Sequence, residues 1–343
     1  MDIFDTNVLI RVVPNLKTAS QFLLDTFFPN IVTSDTEFVT IDVDVGKRRL
    51  APFCSPLVEG KIVEGRRVTS NTFSPPYIKD KRAPDLRRPV RRALGERIGG
   101  EMSAAERMEA NLNFEMADQV DMIQRRLEWM AAQALLAGSI TVKGDGFPDT
   151  VIDFRRDAAL TVVLAGGNRW GQANISPAND LDGYAVTILK KSGAAPTDIV
   201  FTPTPWKHFR NDQSVKDSIW FPRSGDSEID FGGGVKKGVI FKGVWGTYRL
   251  WLHNDWYVDP ADETEKRILP DGTVVMSSAE LMGTRAFGAI MDPDFNYGAM
   301  PYAPKSWTTK DPAQRWVMMQ SAPLVIPSRV NAALASTVCD AVL

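Results

Sequence analysis

The stretch Ser103-Ala104-Ala105-Glu106-Arg107-Met108-Glu109-Ala110-Asn111-Leu112, continuing through Met116, Val120, Ile123, Leu127, Met130 and Ala134 to Gly138, decides the fold. Ser103 to Glu106 is a capping box: the serine oxygen takes the amide three residues on, and the Glu106 carboxylate reaches back. From Met108 to Ala134 the apolar residues recur in steps of three and four, tracing one stripe on an α-helix. Gly138 supplies the stop. A helix over about 103–137 would be roughly 50 Å long at 1.5 Å per residue, unusual in an ordinary domain. It reads as a single spine on which the rest of the chain is built.

Upstream of the spine the chain is poor in apolar material. Residues 1–45 hold a short amphipathic piece, Ala19 to Leu24, then Phe27-Phe28-Pro29 and a run from Glu37 to Val45. Alternation in that run puts Val39, Ile41, Val43 and Val45 on one side of a strand. Such a segment is expected not to fold alone but to lie as an arm on something else. Across residues 46–85, Pro52, Pro56, Pro75 and Pro76 exclude a helix. Leu57 to Val63, with Gly60 between apolar pairs, reads as the tip of an extended β-hairpin loop.

Charge is segregated along the same stretch. The 343-residue chain has a net charge of −2. Residues 1–45 carry two basic and seven acidic residues, residues 46–100 carry 14 and five, and residues 101–138 carry three and seven. The successive nets are −5, +9 and −4. A nucleic-acid patch would bring interleaved aromatics, which are nearly absent from Lys79 to Arg97. Complementarity between the basic stretch and an acidic surface of the same or another copy of the chain is favoured over a merely solvated face.

Beyond the spine, Ser139 to Val163 reads as a hairpin or small meander about the turn Lys143 to Gly146, and Gly166 to Asp180 as a crossing to a second region. Helices are expected over Asp180–Ser192 and from near Pro205. Strands are expected at Asp198–Thr202, Val239–Phe241, Tyr248–His253 and Thr273–Met276, and again at Trp316–Gln320 and Leu324–Ile326.

Catalytic chemistry finds little to work with. The only histidines are His208 and His253, and no serine elbow, Cys-His pair or HExxH spacing accompanies them. Two cysteines, Cys54 and Cys339, make neither a disulfide framework nor a multi-cysteine zinc site, and fit a reducing cytoplasm. Phe231 to Lys237 is rich in glycine and lysine but lacks phosphate-loop order, and the acidic residues Asp259, Asp262, Glu263 and Glu265 lack EF-hand spacing. Trp245, Trp251 and Trp256 would suit a sugar site or, more ordinarily, core and rim positions. No stretch is long and apolar enough for a membrane helix, and the first residues lack a secretory signal, so the chain is expected to be soluble and intracellular when made.

Four passages resemble the major capsid proteins of lambda-like tailed bacteriophages, which have the Hong Kong 97-type capsid fold. They are Ser55-Pro56, Val58 and Gly60 continuing to Phe73–Lys79; Leu136-Ala137-Gly138 with Thr141; Leu269–Thr273 with Gly283-Thr284-Arg285, Gly288, Ile290 and Asp292; and Trp307–Ala313 running on to Met319–Leu324. All four occur in order and span most of the chain. Ala332 to Leu343 matches no part of the pattern.

The resemblance implies an α+β chain divided into an N-terminal arm (1–45), an extended loop (46–85) and a peripheral domain (86–170) with the spine over about 103–137. An axial domain (171–306) and a return to the peripheral domain (307–343) follow. It also implies hexamers and pentamers of this one chain in an icosahedral head, assembled in the host cytoplasm. Its partners would be a scaffold, a portal, and in many shells a decoration protein, with double-stranded DNA inside contacted non-specifically. No cofactor, metal, membrane or enzyme activity is implied. Some relatives join a loop lysine to a neighbour's asparagine; Lys61, Lys79 and Asn331 are present, but the lambda-like likeness implies decoration instead. The residues expected to carry assembly are basic Lys61, Arg66, Arg67, Lys79, Lys81 and Arg82, lying on acidic Asp42, Asp44, Glu109, Asp118 and Asp121 of adjacent subunits. The alternatives are an encapsulin-like compartment shell and a carbohydrate-active enzyme built on the tryptophan-rich region and a carboxylate pair.

Overall fold

The capping box is formed as the sequence spells it. Glu106 N–H donates to Ser103 Oγ at 3.2 Å, and Ser103 N–H donates to Glu106 Oε2 at 2.6 Å. This is a computed structural model, and it describes residues 21–44, 51, 53–54, 56–57, 59, 68–84, 103–144, 147–219, 235–236, 238–311 and 314–341. The spine runs from Ala104 to Ala137, 34 residues, and stops at Gly138 in the left-handed conformation, φ +68°. A side chain at Gly138 would also collide with Arg156, whose Cβ lies 2.6 Å from where a Cβ would sit. The Arg156 guanidinium takes the last spine carbonyls, Leu135 O and Leu136 O, so a cation closes the negative end of the helix. Of the predicted stripe, Leu112, Met116, Val120, Ile123, Leu127, Met130 and Ala134 are buried.

Three groups of strands meet the spine's buried face. Gly283–Phe287 pairs in parallel with Asn30–Thr33 and antiparallel with Pro323–Pro327. Gln314–Ser321 lies antiparallel between Ala303–Thr309 and Ile78–Arg82. Ser139–Gly144 and Phe147–Asp153 form the expected hairpin directly after the spine. A short helix, Phe22–Phe27, also docks here and buries Leu23, Leu24 and Phe27. Gly283 is required beneath it, because a Cβ there would lie 2.3 Å from Phe27 O. The expectation that the first 45 residues lack a place on their own chain is therefore corrected for residues 21–40. Four large apolar side chains, Leu23, Leu24, Phe27 and Phe28, are inserted in the chain's own core, each at most 1% exposed.

A seven-stranded sheet forms the other half. Its order is Thr161–Val163, Leu334–Thr337, Thr273–Ser277, Asp198–Phe201, Tyr248–His253, Val239–Trp245 and Val235–Lys236. Successive side chains of a strand point to opposite faces, and this sheet uses both. Val200, Val275 and Ala335 join the core around the spine, while Ile199, Phe201, Val274, Met276 and Leu334 join a second core. That second core lies under the helices Pro177–Ser192, Pro203–Asn211 and Gln213–Ile219, with Leu181, Ile188, Trp206, Phe209 and Val215 buried in it. The sheet is thus the wall between two cores, which explains the unbroken apolar runs in its central strands.

Three placements differ from the sequence reading. Thr161–Val163 leaves the post-spine hairpin and pairs in parallel with Leu334–Thr337. Leu334–Thr337, in the stretch that matched no pattern, is a strand inside the seven-stranded sheet, and its Ala335 packs in the core around the spine. The Ser176–Asp180 stretch expected as a crossing is the first turn of a helix with Pro177 at its start, where the missing N–H costs nothing.

Candidate assembly interface

The extended loop leaves the body as a two-stranded ladder, Val39–Asp44 against Val68–Phe73, paired from Val39↔Phe73 outward to Asp44↔Val68. The strand expected within Glu37 to Val45 is the first strand of this ladder, Val39–Asp44. Its inner end is anchored: Val39 is buried, and Phe73 packs edge-on against Phe154 with ring centroids 5.6 Å apart. The ladder joins no third strand among the described residues. Asp42 and Asp44 lie in its outer half, opposite Ser70 and Val68. Lys61, Arg66 and Arg67 fall between its two strands in sequence and lie outside the described residues, as do Val58, Gly60 and the remainder of the expected hairpin tip apart from Leu57 and Glu59.

Where the loop returns, its strand Ile78–Arg82 alternates. Ile78, Asp80 and Arg82 are half-buried, while Lys79 and Lys81 are exposed. The inward set is held by the spine. Arg82 pairs with Asp80 at 2.9 Å, Glu115 at 3.0 Å and Asp118 at 2.6 Å, and Gln119 Nε2 donates to Asp80 O at 3.0 Å. Burial works against the Arg82 charge, but hydrogen bonds to Asp80, Asp118 and Glu115 outweigh it and raise its pKa. At the other end of the strand, Tyr77 Oη donates to Gln320 Oε1 at 2.8 Å and accepts from Met291 N–H at 3.2 Å. Gln320 Nε2 passes on to Asp292, which Lys305 neutralises at 2.9 Å. The outward set lies over aromatic faces: Lys81 Nζ is 4.0 Å from the Trp316 ring and 5.3 Å from Trp307, and Lys79 Nζ is 5.1 Å from Tyr77.

The structure therefore brings Arg82 and Asp118 together, but within one chain. Asp121 pairs with Arg125 one turn along the spine at 2.8 Å, and Glu109 is exposed near the spine's start. Sequence reasoning missed Glu115, Gln119 and Glu128, which are buried polar groups on the spine. Each sits beside a stripe residue (Met116, Val120, Leu127), but so does the exposed Glu109 beside Met108, so adjacency to the stripe does not mark them out. Between the loop root and the spine lies a groove of about 1120 Å³, lined among others by Lys79, Arg126, Trp129, Tyr257 and Met291.

The chemistry considered for an enzyme does not converge. His253 is 2% exposed with neither ring nitrogen hydrogen-bonded among the described residues, and burial pushes its pKa down to about 4. Trp251 packs between Phe22 and Phe241, Trp245 packs on Phe209 and Tyr248, and Trp256 lies on the surface under Arg267. They face different parts of the molecule and make no common sugar platform. The acidic loop is partly neutralised from within, Lys266 bridging Asp259 and Asp262 at 2.6 and 2.8 Å. Asn331 Oδ1 accepts from Asp157 N–H at 2.9 Å. Among the described residues no three His, Cys, Asp or Glu side chains are grouped for a metal, and no helix is long and apolar enough to cross a membrane.

Known proteins match this chain over almost its whole length. The family model described as phage major capsid protein E matches residues 5–338. The major capsid protein of Escherichia phage lambda is 29% identical over 336 residues, covering 95% of this chain and 96% of that one. The crystal structure of a putative capsid protein of a prophage of E. coli CFT073 aligns with a TM-score of 0.75 at 22% identity, covering 97% of this chain and 99% of that one. The capsid of Ralstonia phage GP4 shares the fold at a TM-score of 0.55 and 13% identity, covering 95% and 93%. With a match to its model that leaves out only the first four and last five residues, the chain belongs to the phage major capsid protein E family.

Proposed function

We propose that this major capsid protein builds the icosahedral phage head as hexamers and pentamers, without catalytic activity, and that its extended loop is the element that joins neighbours. The observation that carries the reading is the ladder Val39–Asp44/Val68–Phe73, which is anchored at its base and joins no third strand among the described residues. A two-stranded hairpin alone in water is marginal, so a projecting one gains its stability from a surface it lands on. The sequence it carries between its strands, Lys47 to Arg67, is basic. The acidic side chains of the arm and spine, Asp42, Asp44 and Glu109, supply complementary charge on another copy.

Arg82 and Asp118 serve their own chain, so the contacts between subunits rest on Lys61, Arg66 and Arg67, with Lys79 and Lys81 beside the root. Single rim ion pairs are worth on the order of 0–1 kcal/mol. Repeated around a shell they set register and salt sensitivity while leaving each contact weak enough to correct. A scaffold, a portal and packaged double-stranded DNA are the further partners of this reading, and the host cytoplasm is its place of assembly. The test is the double substitution Arg66→Glu, Arg67→Glu. Electron microscopy and sedimentation are expected to show shell formation blocked or slowed, with the circular dichroism of the subunit unchanged. Normal particles from the double variant would rule out the loop's basic charge as the joining element.

A further inference from the structure

The short strand Asn30–Thr33 is the edge of its three-stranded sheet and pairs with Gly283–Phe287 on one side only. Ser34 N–H donates to Phe287 O at 2.9 Å. Backbone groups alternate in direction along a strand of a parallel pair, so Val32 and Ser34 face that partner. The N–H and C=O of Ile31 and Thr33 then point away from the sheet, and nothing among the described residues pairs with them. All four residues are exposed, Ile31 at 60% and Val32 at 47%. Natural edges are blunted by charges, prolines or a covering segment. Asn30–Thr33 holds no charge and no proline, and presents β-branched apolar side chains instead. Such an edge is a template for one more strand.

The chain carries a segment suited to it. Residues 1–20 precede the described ones and include Val8-Leu9-Ile10-Arg11-Val12-Val13, five apolar residues and one charge. This is strand composition. Pro14 falls just outside the run, so each of its six residues keeps an N–H for a ladder. Alternation sets Val8, Ile10 and Val12 on one side and Leu9, Arg11 and Val13 on the other. Charge is complementary as well: Arg11 and Lys17 are basic, while the edge leads on to exposed Asp35 and Glu37. Phe38, 50% exposed, then adjoins Val39, where the ladder proposed to join neighbours begins, so the edge is continuous with that interface.

We infer that Val8–Val13 of one copy adds as a further strand to Asn30–Thr33 of a second copy, its backbone pairing with the outward N–H and C=O of Ile31 and Thr33. The inference rests on the reading that this chain assembles, and adds to the charged loop a contact made by main-chain bonds. Those bonds supply affinity, and Ile31 and Val32, on opposite faces of the edge, supply the apolar contacts. The arm's other end is held at home: Glu128 on the spine accepts from Leu23 N–H at 2.7 Å and Leu24 N–H at 3.1 Å. The arm is thus rooted on one copy and seated on the next.

The test uses full-length chains in which Cys54, the exposed native thiol, is replaced by serine. Particles are assembled from a mixture of two single variants, Ile10→Cys and Ile31→Cys, and treated with a short bis-maleimide. Mass spectrometry is expected to find a peptide joining position 10 to position 31, which in this mixture bridges two copies. Particles that form without it would overturn the edge contact and leave the loop's role standing, whereas an unsubstituted chain that never assembles would overturn both. A link found only when both cysteines share one chain would also overturn it, placing the strand on its own subunit. Separately, Ile31→Lys and deletion of residues 1–13 are each expected to slow assembly severalfold, and together no more than either alone, because both remove one contact. Additive losses, or none from either change, would overturn the pairing.

Discussion

Arg82 shows how much of a residue's role depends on what its neighbours do with it. It stands at the end of the loop's return strand, with its side chain 21% exposed and three carboxylates around it, and Glu115 is nearly buried at 11%. Removing the cation leaves Asp80, Glu115 and Asp118 facing one another in a partly dry site. Arg82→Ala is expected to cost about 1–3 kcal/mol of stability in urea unfolding, less than a fully buried pair because water screens the rim. The loss should shrink when Glu115→Gln is already present, since one of the three like charges around the site is then gone. Equal losses in both backgrounds would show that Arg82 acts by packing its stem alone. From the sequence, Arg82 was legible as part of a basic run and Asp118 as an exposed spine acid. Their partnership within one chain was not, because charge counts carry a sign but no distance. Glu128 was hidden for a related reason: a lone glutamate beside a stripe leucine reads as the edge of a wet face until another element is seen to cover it.

At the level of elements, what was legible is what is locally determined. The spine needs only its own sequence: a cap, a stripe and a glycine, and each is where it was expected. The post-spine hairpin and the strand Tyr248–His253 likewise follow from alternation and turn residues. The missed strands are short or atypical. Asn30–Thr33 and Leu334–Thr337 have four residues each, and Ala303–Thr309 carries Pro304 near its start. Such segments become strands because a partner ladder is waiting, and single-sequence patterns do not contain the partner. The stop of the spine gives a test at this scale. Gly138→Ala must hold a left-handed backbone and crowd Arg156. It is expected to cost at least about 1–2 kcal/mol in thermal unfolding, and Ser103→Ala at the opposite end about 1 kcal/mol through loss of the cap. A larger effect at Ser103 than at Gly138 would mean that the entry rather than the exit of the spine is the stressed end.

For the whole molecule, the near-balance of charge is an outcome of its segregation. The basic block over residues 46–100 exceeds either acidic block beside it, yet the total is −2. Part of that block is engaged in the folded subunit, since Arg82 is surrounded by carboxylates and Lys81 is spread over two tryptophans. A shell wall that encloses packed DNA, as proposed for this chain, would benefit from this. Each phosphate neutralised by a free lysine or arginine releases counterions and adds affinity, and a strongly cationic inner surface would hold the genome against the shell and hinder both filling and emptying. The free subunit is therefore expected to bind double-stranded DNA no more tightly than micromolar at physiological salt and without sequence preference, as read by fluorescence anisotropy. Lowering the salt should strengthen the binding, because the counterions released from the phosphates then go into a more dilute medium. Arg66→Glu, Arg67→Glu should remove most of that low-salt binding. Submicromolar affinity at physiological salt would mean instead that the basic stretch evolved toward nucleic acid, and the complementarity assigned to it between subunits would lose its support.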